Sequence, residues 1–129
     1  MSFKLKSYVF LLMLVTLSES NAQTYLCAAD KATGFKNNRG EWVESHFNSN
    51  EKYILKWNNS HWSWIRVGEK FGGMCNAKNQ EVFSCDMSFE HLIFNKRLMR
   101  FIYSNPGGYA LEALKSDTPY MAIGKCSPI

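Results

Sequence analysis

Three histidines, several serines and a scatter of carboxylates are the residues with which this chain could do chemistry. His46 follows Glu44 by two, so in a strand both side chains share a face, and Asp86, Glu90 and His91 lie close together further on. A hydrolase needs a nucleophile, a base and a group that orients the base. Ser45, Ser63, Ser84 and Ser88 are available, but none stands in a Gly-x-Ser-x-Gly elbow. Glu41, Glu44, Glu81 and Glu90 could supply paired carboxylates for glycoside cleavage, yet no spacing singles out two of them. Gly72-Gly73 and Gly107-Gly108 precede no helical pattern, so they read as turns and not as phosphate cradles. No catalytic residue and no cofactor is assigned on this basis, and a solvated or hydrogen-bonded side chain is the expectation for each histidine.

Binding chemistry is better supplied. Four tryptophans are a heavy load for a short chain, and three of them fall within Tyr53–Val67, YILKWNNSHWSWIRV. That stretch reads as a β-hairpin with a polar corner at Asn58-Asn59-Ser60. Its period of two puts Tyr53, Leu55 and Trp57 on one side of the first arm and Trp62, Trp64 and Arg66 on one side of the second. Tryptophan and arginine favour the centres of interfaces, so Trp57, Trp62, Trp64 and Arg66 form the candidate binding surface, suited to sugar rings or a peptide. The competing reading is that the tryptophans fill the core. Both faces carry apolar groups, with Ile54, Ile65 and Val67 opposite, so the pattern leaves the inward side open. Asn58-Asn59-Ser60 also matches an N-glycosylation acceptor, read here as a turn.

The elements that would position these residues begin after a leader. Lys4 and Lys6, the apolar run Tyr8–Leu17 and the small residues Ser20-Asn21-Ala22 have the layout of a cleaved secretory signal over residues 1–22. The run is too short for a membrane span, which takes about 20 residues, and no later run is longer. Residues 23–129 are then one domain. Losing Lys4, Lys6 and Glu19 lowers the formal net charge from +4 to +3, and the remaining cations are interleaved with acids. Nucleic-acid binding would want a concentrated basic stripe, so nucleic acid is not an expected partner. No stable membrane span after cleavage and a monomer are expected.

Cys27, Cys75, Cys85 and Cys126 are an even set behind an export signal, which predicts two disulfides in an oxidising compartment. Four cysteines allow three pairings. Cys75–Cys85 with Cys27–Cys126 is preferred, because the first closes a short polar loop and the second ties the first mature strand to the last. A zinc site would want closely spaced Cys and His, and none occurs, so no metal is assigned.

Strand signals recur about every ten residues, separated by turns such as Asn37-Asn38-Arg39-Gly40 and Asn105-Pro106-Gly107-Gly108. They predict an all-β fold, a small antiparallel β-sandwich or barrel-like meander stapled by two disulfides. Thr24–Asp30 begins it, Thr33–Lys36 continues after a break, and Tyr109–Leu114 pairs back on Leu98–Tyr103 with Tyr109 opposite Tyr103. Phe89–Met99 is the best helical candidate.

Tyr25-Leu26-Cys27 with Asp30, Gly34-Phe35, Trp42, Lys52-Tyr53, the Cys75/Cys85 loop, Arg100-Phe101, Gly108-Tyr109, Thr118-Pro119-Tyr120 and Ile123-Gly124-Lys125-Cys126 resemble a family of small exported proteobacterial proteins. The likeness spans nearly the whole mature chain. It implies a periplasmic or secreted location and carries no catalytic residues. In outline the chain is also similar to periplasmic lysozyme inhibitors of the small β-barrel kind, without an inhibitory loop motif. The function expected is an exported, non-catalytic binding or inhibitor-like module with a protein or glycan partner. An envelope-associated structural protein and a small hydrolase are the alternatives.

Overall fold

A computed structural model of the chain describes residues 24–110 and 118–129. The leader expected over residues 1–22 and most of the return strand expected over Tyr109–Leu114 lie outside the described residues. Nine strands follow one another: β1 (Thr24–Asn38), β2 (Glu41–Phe47), β3 (Lys52–Trp57), β4 (Trp62–Arg66), β5 (Gly73–Ala77), β6 (Val82–Met87), β7 (Glu90–Asn95), β8 (Arg100–Asn105) and β9 (Tyr120–Pro128). The described residues are all-β. The Phe89–Met99 segment is strand β7 and a turn, not a helix.

Each strand from β3 to β9 pairs antiparallel with the next, and β9 returns to pair with β1. The first half of β1 pairs with β3 and its second half with β2. Eight strands therefore close into a barrel, with β2 as a flap on the long first strand. Closure, rather than a two-sheet sandwich, removes most sheet edges. β1 runs through the break expected near Asp30. Its register against β9 shifts between Ala29 and Lys31, a β-bulge that leaves Asp30 and Lys31 both outside. Inward positions are Tyr25, Cys27 and Ala29 before it and Ala32 after it. One extra residue lets two consecutive charges stay in water without reversing the apolar face.

Both expected disulfides are present, and each joins direct cross-strand partners: Cys27 to Cys126 between β1 and β9, Cys75 to Cys85 between β5 and β6. The interior is filled by Tyr53, Leu55, Trp64, Leu92, Phe94 and Tyr103, all but completely buried. Gly73 is dictated by that packing, because a Cβ there would collide with the Trp64 indole and the Asp86 carbonyl. At the β1–β2 turn Arg39 and Gly40 take φ of 52° and 91°, the pair of positive values a type I′ hairpin demands. Asn37 steadies it by accepting the Gly40 amide at 2.7 Å.

One expected pairing does not form. β8 is occupied on one side by β7 and on the other by β9, so Tyr109 cannot lie opposite Tyr103. It instead sets its ring edge-on to Trp42 of β2, centroids 5.5 Å apart. Ring closure uses both edges of β8, an outcome that local alternation cannot reveal.

Candidate functional site: an aromatic groove at one end of the barrel

The β3–β4 hairpin has the register that alternation suggests: Trp57 faces Trp62, Leu55 faces Trp64 and Tyr53 faces Arg66. That whole face turns inward. Trp64 is only 2% exposed, so it belongs to the core and not to a surface row. Its partners are Tyr53 and Tyr103, with ring centroids 5.8 and 6.0 Å away. The four candidate residues are therefore divided. Trp57 and Trp62 stand half-buried at the end carrying the β3–β4 turn, and Arg66 points into the opposite end.

At the first end a groove of about 630 Å3 opens between the β3–β4 and β5–β6 turns. Its buried part is Phe83, Cys75 and one side of Trp62, and its walls are Trp57 and His61. Exposed Asn76, Asn79 and Gln80 lie around its opening. Register positions the rings. Trp62 pairs with Trp57 across one ladder and with disulfide-bonded Cys75 across the other. Its indole packs at 5.6, 5.7 and 5.5 Å from Tyr25, Trp57 and Phe83. Asn79 accepts the Glu81 and Val82 amides, both at 2.8 Å, which fixes the β5–β6 turn. Asn59 takes φ 62° in the other turn, where the Asn58 amide donates to Ser63 at 2.8 Å. Ser60 Oγ lies 2.9 Å from His61 Nδ1. Among the described residues, the side-chain amides of Asn76 and Gln80 and the Nε2 of His61 have no protein partner. An apolar floor with a few polar groups at its rim is the composition of a ligand cleft.

The opposite end holds a connected polar cluster. Arg66 Nη2 donates to the Tyr103 hydroxyl at 2.5 Å, the Tyr120 hydroxyl at 3.2 Å and Glu90 Oε1 at 3.2 Å. Tyr103 in turn donates to Glu90. Tyr120 donates to Glu51 at 2.6 Å, and so does Tyr53. The guanidinium also lies over the Tyr103 ring, 5.1 Å from its centroid. Burial, and then hydrogen bonding to a glutamate, pushes the phenols of Tyr53, Tyr103 and Tyr120 well above the ordinary tyrosine value. Burial opposes the charge on Arg66, but the facing phenols and Glu51 outweigh it and hold the guanidinium above its usual value. Arg66 Nε is buried without a hydrogen bond, 4.0 Å from Glu51. Phenols held this firmly protonated are not bases or nucleophiles at neutral pH. The cluster closes the barrel.

Of the hydrolytic candidates, the structure brings two sets together: Glu44, Ser45 and His46 line a cavity of about 680 Å3 with Phe35, Phe89 and Tyr120, and Ser84, Asp86 and His91 meet on the barrel wall. Ser84 and Asp86 point outward from β6 and His91 outward from β7, while Glu90 turns inward to Arg66. Ser84 Oγ is 3.4 Å from His91 Nε2, and His91 Nδ1 meets Asp86. The order of contacts is that of a serine nucleophile, base and orienter. The surroundings are not. Ser84 is 6% exposed. It sits in the middle of three paired strands, opposite Asn76 and Ile93. Its neighbours' amides belong to the ladders, so no pair of N–H groups is aimed at an oxyanion position. Glu44 and His46 share the exposed face of β2 with no hydrogen bond between them. Both cysteine pairs are oxidised, and among the described residues no three His, Cys, Asp or Glu side chains converge as metal ligands.

Sequence reasoning found Trp57 and Trp62 but missed the rim, because Asn76, Asn79 and Gln80 read only as loop. It also missed the polar cluster, whose members are spread from Glu51 to Tyr120. The one signal available was the shared inward face of Tyr53 and Arg66. Comparisons of the chain with family models, with curated proteins and with solved structures each return no match.

Proposed function

We propose that this protein is a small exported binding module, non-catalytic, that acts in the periplasm or outside the cell and takes its ligand in the groove beside Trp57 and Trp62. The observation that carries the reading is the groove itself: two half-exposed indoles over a disulfide-backed floor, with unpaired amides at the edge. Two disulfides support an oxidising compartment, and the likeness of Tyr25-Leu26-Cys27 through Cys126 to small exported proteobacterial proteins is consistent with it. Preformed, crosslinked walls favour binding because little side-chain freedom is left to lose.

A hydrolase reading draws on the Ser84–His91–Asp86 contacts, but a nucleophile without access or an oxyanion site gives no turnover. An envelope-structural role would leave the groove without an occupant. The test is to probe glycan and peptide arrays with the oxidised mature protein and with Trp57→Ala. A ligand class retained by the parent and lost by the variant is the expected result. Equal retention by both would sink the assignment of the surface.

A further inference from the structure

We infer that the outer wall of the barrel carries a second binding site, a cavity beside the β1–β2 flap that takes a small apolar amine, an ammonium group on an aromatic or branched aliphatic body. The site is separate from the groove at Trp57 and Trp62 and does not rest on it.

Strand register builds this cavity. β1 pairs with β2 on one side and β9 on the other, and β9 pairs with β8, so His46, Thr33, Met121 and Ser104 form one row of direct partners. Glu44 and Phe35 are partners in the next row of the same face, because residues two apart in a strand share a side. That face is the outer one, since Ala32 and Ala122, the neighbours of Thr33 and Met121, are buried. Both rows line the cavity of about 680 Å3, and Phe89 joins them from the β6–β7 turn. The volume is ordinary for a small-molecule site.

The lining selects the ligand. Phe35, Phe89 and Met121 are 47, 60 and 46% exposed, and apolar side chains gathered in water around one hollow mark an interaction site. Among the described lining residues Glu44 is the one Asp, Glu, Lys or Arg. No cation lies within 4.0 Å of it among the described residues. Lys36 follows Phe35, but alternation sends it to the other face, opposite Val43. Lys31 shares the cavity's face but lies beyond the His46 row, on the side away from Glu44, against an adjoining hollow of about 250 Å3. The cavity therefore has an uncompensated carboxylate directly across from an exposed phenyl ring. Side chains of direct cross-strand partners stand about 5 Å apart at Cβ. An ammonium group fits between them, donating to the carboxylate and resting against the ring, while its apolar body covers Phe89 and Met121. A carboxylate ligand in the same place would set like charge against Glu44, and a neutral one would leave that charge unused.

The experiment is an NMR titration of the oxidised mature protein with phenethylamine, phenethyl alcohol and phenylacetate, at about pH 8, where imidazoles are ordinarily neutral and alkyl amines charged. The three probes share a body and differ in the head. The amine should bind about tenfold more tightly than the alcohol, and the acid more weakly than either. Glu44→Gln should bring the amine to the level of the alcohol and leave the alcohol unchanged; Phe35→Ala should weaken both. Thermal transitions check that each variant folds, and Trp57→Ala should leave amine binding intact. Equal affinity for amine and alcohol, or amine binding indifferent to Glu44→Gln, would overturn the ligand class. Amine binding lost in Trp57→Ala would move the ligand to the groove and remove this site. Binding of none of the three probes also overturns the inference, and leaves the reading of the groove untouched.

Discussion

At one end of the barrel Trp62 packs among Tyr25, Trp57 and Phe83; at the other, Arg66, four residues along the same strand, is gripped by Tyr103, Tyr120 and Glu90. One strand thus contributes to both closures, with opposite chemistry. At the arginine end each phenol proton goes to a glutamate and the guanidinium Nη2 reaches two phenol oxygens, with Arg66 Nε left buried and without a hydrogen bond. The tryptophan end keeps amides unpaired at the rim of an open groove. Satisfied polar groups stabilise, and unsatisfied ones beside apolar surface await a partner. On the binding role proposed above, one end serves stability and the other recognition.

The largest effect tests the frame that holds both ends. Replacing Cys27 and Cys126 by alanine opens a loop of 99 residues, which the chain-entropy model values at about 4.7 kcal/mol. The short Cys75–Cys85 loop, separation 10, comes to about 2.7 kcal/mol by the same relation. Urea unfolding of the two double variants should rank them in that order, and the reverse order would show that native-state contacts, not chain entropy, set the values.

Next comes the arginine end. Arg66→Ala leaves Glu51 and Glu90 with phenol donors but no cation, at a cost of about 2–3 kcal/mol for a partly exposed guanidinium. Ligand binding at the groove should be unchanged in the folded fraction. Alkaline titration probes the same end without mutation. Tyr53 and Tyr103 stay neutral in the fold where the unfolded chain's phenols, near 10, lose protons. Their contribution is therefore complete below pH 10 and is lost as pH rises beyond it, by about 1.4 kcal/mol per pH unit for each phenol. Phenolate absorbance of these two tyrosines should appear together with unfolding; ionisation in a still-folded protein would contradict the burial.

The smallest effects belong to the groove and the outer face. Trp57→Ala should lower stability by only about 1 kcal/mol, the loss of its ring contact with Trp62, while removing ligand binding. A larger loss of stability with binding intact would invert the division between the ends. Finally, a fluorophosphonate probe should leave Ser84 unlabelled in the native protein. Stoichiometric labelling abolished by His91→Ala would restore the hydrolase reading.

Much of this was legible in the chain. The alternation of Tyr53, Leu55 and Trp57 against Trp62, Trp64 and Arg66 announces the register, because period two leaves few ways to pair the arms. The disulfides followed from an even count and from which loops they would close. Which face is inside was not legible, since Ile54 and Ile65 are as apolar as the residues opposite, and only closure of the sheet decides it. The Asp30 bulge escaped because one extra residue mimics a strand end. The arginine cluster escaped because its members meet only after β3, β4, β7, β8 and β9 have come round to the same end.

The bond between Cys27 and Cys126 has a further meaning. It fastens the first barrel strand to the last, so nearly all the described polypeptide forms a covalent circle. A protease that cuts one exposed turn, at Asn59 for instance, would make a nicked ring and not two fragments, and the parts would stay at each other's side long enough to remain folded. The same circle makes the position of the chain ends nearly arbitrary, so a circular permutant opened between the arms of the β1–β2 hairpin should keep its shape.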